Sequence, residues 1–80
     1  MVTSNAQRFF SEYEIQLQKA VEQHPDEYGF SDVKAVANRM RAAFIRQSYN
    51  KDGRAIRAVC RVLGIKHTYD SINTFLVSEE

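Results

Sequence analysis

The sequence predicts an all-helical fold. Apolar residues recur at three- and four-residue steps through most of the chain, no stretch alternates strongly enough for a strand, and only three glycines and one proline interrupt it. Pro25, Gly29, Gly53 and Gly64 cut the 80 residues into four segments, expected as four helices of one small domain spanning residues 1–80.

The first helix runs from about Ser4 to Gln23, with Ala6, Phe9, Phe10, Tyr13, Leu17, Ala20 and Val21 on one stripe. Ser4 or Asn5 can accept from its first free amides. Pro25 ends it, because the ring removes a backbone donor and pushes the preceding residue out of helical geometry. After a polar connection from His24 to Gly29, Ser31 supplies a cap and Asp32 a carboxylate near the positive end of a second helix. Val33, Val36, Ala37, Met40, Ala43 and Phe44 carry that helix to about Gln47. The run Ser48 to Gly53 has the composition of a turn, and Asp52 can cap the helix after it.

The third helix, about Arg54 to Leu63, turns Ile56, Val59, Cys60 and Leu63 to the core. Gly64 followed by Ile65 is a left-handed stop with its apolar clasp. Thr68 caps a last helix with Tyr69, Ile72, Phe75 and Leu76 on one face, and residues 77–80 are expected as a frayed tail. The first two helices are expected as an antiparallel scaffold for the last two.

Composition narrows the class. At 44% hydrophobic and 26% charged residues the chain belongs with globular proteins rather than disordered ones. No run approaches the roughly 20 apolar residues of a membrane span, and no basic-then-apolar leader opens the sequence, so the expectation is a cytoplasmic protein without membrane association. Cys60 is the single cysteine and cannot close an internal disulfide, which leaves packing, or a dimer, to stabilise a small core.

Charge is distributed unevenly. Residues 1–38 carry three basic and six acidic side chains, whereas residues 39–76 carry eight basic and two acidic. Arg54, Arg57 and Arg61, three and four apart, project from the side of the third helix opposite its core residues, and that helix contains no acidic residue. Arg39 and Arg46 share a side of the second helix, and Lys51 and Lys66 flank the third. Guanidinium groups grip phosphate in a bidentate fork, and a cluster of them displaces counterions from a nucleic-acid backbone. The competing reading is a solvated face paired with Glu12, Glu14, Glu22, Asp26 or Glu27.

From Ala55 to Leu76 the sequence reads AIRAVCRVLGIKHTYDSINTFL, which resembles the helix-turn-helix family over about residues 54–76. Cys60 suits the small crossing position, Gly64 the reversal and Ile65 the buried site after it. The usual aliphatic six residues after the glycine is replaced by Asp70, with Ile72 two residues later, so a longer turn or a different angle is expected. The resemblance implies that the last helix reads DNA, with Lys66, His67, Asn73 and Thr74 nearest the bases and Arg46, Lys51, Arg54, Arg57 and Arg61 on phosphates. A second mode lays the arginine side along the backbone with little base readout. The segments NAQRFF and YNKDGRAIRAVCRVLGIKHTYDSINTFL are also similar to small accessory proteins of lambdoid phages and prophages, of unknown function. That resemblance implies a bacterial cytoplasmic setting and a role in phage gene control or host takeover.

Catalytic signatures are missing: there is no phosphate-cradling glycine loop, nucleophile elbow or HExxH pattern. Cys60, on the core side, reads as a small packing residue. His24, His67 and Cys60 lack zinc-ligand spacing, so neither metal nor cofactor is expected. Ile15, off the main stripe of the first helix, and the loop aromatics Tyr28 and Tyr49 are candidates for a partner surface, and a homodimer through the first helix is compatible with them. The expected function is non-catalytic nucleic-acid binding, to DNA above all. The alternative is a protein-interaction module whose basic face meets an acidic host or phage protein.

Overall fold

In the computed structural model residues 4–28, 32–43 and 45–78 are described, Lys51 by its backbone alone. They form five helices and no strand: α1 (Asn5–Gln23), α2 (Val33–Ala42), α3 (Ile45–Lys51), α4 (Gly53–Leu63) and α5 (Tyr69–Val77). None is long and apolar enough to cross a membrane.

The caps explain where most of these helices begin. Ser4 forms a reciprocal box with Gln7: its hydroxyl accepts from the Gln7 amide, and the Gln7 carboxamide oxygen accepts from the Ser4 amide, both at 3.2 Å. Asp32, expected only as a charge near the positive end, accepts from the Ala35 amide at 3.1 Å and starts α2; Ser31, the expected cap, lies outside the described residues. Thr68 accepts from the Ser71 amide at 3.1 Å and starts α5. α1 ends at Gln23, two residues before Pro25, with His24 half-buried at its C-cap.

One expected helix is two. The stripe Val33, Val36, Ala37 and Met40 is buried, but the next buried side chain among the described residues is Ile45, five residues beyond Met40. On a straight helix a step of five points well away from the preceding stripe. The chain therefore breaks at Ala43, whose backbone is extended (φ −86°, ψ 153°), and restarts so that Ile45 and Tyr49 both meet the core. Ala43 is exposed, contrary to its expected place in the stripe, and Phe44 lies outside the described residues. The same break moves Ser48, Tyr49, Asn50 and Lys51 from the expected turn into α3.

α1 is the central element. Phe9, Tyr13, Leu17 and Ala20, at steps of three and four, are buried against α2, α4 and α5. α1 packs on α2 as expected, yet its largest interface is with α4, through Ala55, Ile56, Val59 and Cys60. Ile72 is the one fully buried side chain described in α5, with Tyr69, Phe75 and Leu76 half-buried around it. Gly64 stops α4 at φ +73°, and the amide of Ile65 donates to the Cys60 carbonyl at 2.8 Å, the six-to-one bond that closes a Schellman turn. Five residues, 64–68, then lead to α5.

Candidate nucleic-acid interface

The side chains of Arg54, Arg57 and Arg61 are exposed on the side of α4 turned away from Ala55, Ile56, Val59 and Cys60. That helix is the most strongly two-sided in the fold, because every one of its apolar residues except Val62 and the half-buried Ala58 and Leu63 is buried. Arg54 ion-pairs with Glu27, in the connection after α1, and both groups are about half exposed (48% and 56%). This is the only ion pair among the described residues. Arg57 and Arg61 have no carboxylate partner there, so the acidic residues of α1 do not neutralise them.

The remaining predicted residues are placed differently from one another. Lys66 is exposed in the 64–68 connection, and Thr74 is exposed on α5, while Asn73 is half-buried. His67 is half-buried: its ring stacks on Tyr49 with centroids 5.2 Å apart and planes 13° from parallel. Its Nε2 is shielded from solvent and has no hydrogen-bond partner among the described residues. The Tyr49 hydroxyl donates to the His67 carbonyl at 3.2 Å, tying α3 to the connection that precedes α5. The Lys51 side chain lies outside the described residues.

The break at Ala43 separates Arg39 from Arg46, which sequence spacing puts on one side of a single helix. Arg39 lines a shallow hollow with Val36, Met40, Ala43, Gln47 and Ser48. Arg46 instead faces α5, its guanidinium 4.9 Å from the centre of the Tyr69 ring. With Tyr49, Asn50, Thr68 and Tyr69 it lines an open cleft of about 250 Å³. Asn50 and Tyr69 carry no role in the sequence reading; the signal for them is the i, i+4 spacing of Arg46 and Asn50, visible once α3 starts at Ile45. Arg41 and Arg8 lie over the rings of Phe10 and Phe75, at 5.9 and 5.7 Å, and cover aromatic surface elsewhere.

A buried polar pair sits at the foot of α4. Asp52 precedes the helix, and its backbone carbonyl accepts from the Ile56 amide at 2.9 Å, but its carboxylate makes no cap hydrogen bond. It turns inward and accepts from the Tyr13 hydroxyl at 2.6 Å. Burial, then the bond to Asp52 and the charge on that carboxylate, push the Tyr13 phenol far above its ordinary range. Burial likewise raises the phenol of Tyr28, whose neighbours include Arg54, Asp52 and Glu27. Tyr28 and Tyr49, expected as loop aromatics, are both half-buried against the core, and Tyr49 belongs to a helix. Ile15 is exposed at 50%, as expected.

Cys60 is buried, with its thiol raised by that burial, which suits a packing residue and not a nucleophile. Among the described residues no three His, Cys, Asp or Glu side chains are grouped to hold a metal ion. The fold and site define a small all-α protein with an arginine-bearing outer helix. No family model, curated protein or solved structure matches the chain.

Proposed function

We propose that this protein is a non-catalytic nucleic-acid-binding protein, acting on DNA through the outer face of α4. The observation that carries this reading is that three arginines share that face and only Arg54 is matched by a carboxylate among the described residues. Arg57 and Arg61 grip successive backbone phosphates, Arg54 joins them by exchanging Glu27 for phosphate, and Arg46 and Lys51 extend the contact from α3.

α4 and α5 act as a helix-turn-helix-like unit in the order helix, left-handed Gly64, half-buried Ile65, helix, although α4 packs chiefly on α1 and hardly on α5. The five-residue connection exceeds the 3–4 residues usual for that motif. Asp70, exposed in the first turn of α5, opposes deep insertion between phosphates. Both features favour the backbone-dominated mode over one in which Lys66, Asn73 and Thr74 read base edges, and His67 braces the loop against Tyr49. Binding is then weakly sequence-specific. On the sequence resemblance to small lambdoid-phage accessory proteins alone, the proposed setting is phage gene control or host takeover in a bacterial cytoplasm.

The test is a charge-reversal triple variant, Arg54→Glu, Arg57→Glu and Arg61→Glu, in a mobility-shift assay with duplex DNA. All three sites are exposed, so folding should persist by circular dichroism while the shift disappears. A folded variant that shifts DNA as the parent does rejects the assignment.

A further inference from the structure

We propose that the cleft between α3 and the start of α5 holds one phosphodiester of the nucleic-acid backbone, with Arg46 as anchoring cation and Asn50 as a second donor. The proposal rests on the nucleic-acid reading above and adds a built site to it. Arg46 and Asn50 stand one turn apart on α3, both exposed, and the opposite wall is Thr68 and Tyr69.

The guanidinium already lies over the Tyr69 ring, a contact that narrows its side-chain freedom before any ligand arrives and lowers the ordering cost of binding. The other polar groups in the wall are largely committed. The Thr68 hydroxyl accepts from the Ser71 amide and donates to the Ser71 hydroxyl at 2.8 Å, and the Tyr49 hydroxyl donates to the His67 carbonyl. A guanidinium and a carboxamide are thus left facing the cleft, a donor set for an anion. Among the described residues no carboxylate lines it, in contrast to Arg54, which already holds Glu27.

One guanidinium matches the single charge of a diester. A phosphate monoester brings a second charge that the cleft's single guanidinium leaves unmatched. A backbone phosphate is therefore the better occupant than a free phosphate or a 5′-terminal one. Seated there, it fixes the position of α5 along the strand independently of the arginines on α4.

Two measurements on the full chain test this. In amide NMR at constant ionic strength, dimethyl phosphate should shift residues 46–50 and 67–70 more than inorganic phosphate does, and Arg46→Gln should abolish the shifts. In duplex-DNA anisotropy titrations Arg46→Gln should lose one phosphate contact. The ratio of parent to variant affinity is then about 3.5-fold larger at 50 mM than at 200 mM salt, from a slope change of about 0.9. Should Arg46→Gln fold poorly, Asn50→Ala at an exposed helical position must weaken the dimethyl phosphate shifts at least twofold. If Arg46→Gln matches the parent at both salts and dimethyl phosphate leaves the cleft unmoved, while Arg57→Gln/Arg61→Gln loses DNA, the cleft proposal fails and the α4 reading survives. A parent protein that binds no DNA overturns both.

Discussion

Tyr13 and Asp52, 39 positions apart, make the one buried side-chain hydrogen bond described between distant elements, joining the middle of α1 to the foot of α4. Removing the hydroxyl would leave a buried carboxylate without its donor, so Tyr13→Phe should cost about 1–3 kcal/mol in urea unfolding at pH 7. The pair also sets an alkaline limit. The folded chain holds the phenol protonated well above its ordinary value of 10.0. Its contribution is therefore complete below about pH 10 and is lost as pH rises further, when the unfolded chain alone releases the proton. Between pH 10 and 11.5 the parent should lose stability with a slope approaching 1.4 kcal/mol per pH unit from this residue alone. Tyr13→Phe should show a shallower slope, the remainder coming from Tyr28 and Cys60, which burial also raises. Equal slopes in parent and variant would show that the phenol is not held protonated.

At the scale of elements, the stop of α4 sets where the connection to α5 begins. Gly64 sits at φ +73°, and a Cβ added there meets no atom within 4 Å, so the cost of Gly64→Ala is backbone strain without steric clash. About 1–2 kcal/mol of destabilisation is expected in urea unfolding, with little change in the native spectrum. A neutral substitution would mean that the turn tolerates another conformation. This stop was legible in sequence because Gly followed by an apolar residue is a local signal, and so were the caps at Ser4 and Thr68, whereas the cap of α2 is Asp32 where the sequence suggests Ser31. The break between α2 and α3 was not legible. Its cause is a shift of apolar phase between Met40 and Ile45, and Ala43 and Phe44, themselves apolar, continue the earlier stripe and hide it. Lacking Gly or Pro, the break is dictated by the core.

For the molecule as a whole, net charge of +1 conceals two different ends, and how the charges meet in space decides the function. Sequence spacing correctly put Arg54, Arg57 and Arg61 on one outward face, because i, i+3 and i+4 relations hold within a single helix. It named Glu27 among five candidate partners without singling it out for Arg54, and it could not show that Arg46 would turn to Tyr69, since both depend on packing between elements. Arg46, Arg57 and Arg61 remain without a carboxylate partner among the described residues.

The most direct measurement is a titration of duplex DNA with the parent protein at 50 and 200 mM salt. If those three arginines each neutralise a phosphate, affinity should fall at least about 40-fold between the two conditions, from a slope of about −2.7 that Arg54 and Lys51 make steeper. Absence of binding at 50 mM, or an affinity that does not change with salt, would contradict a phosphate-gripping basic face.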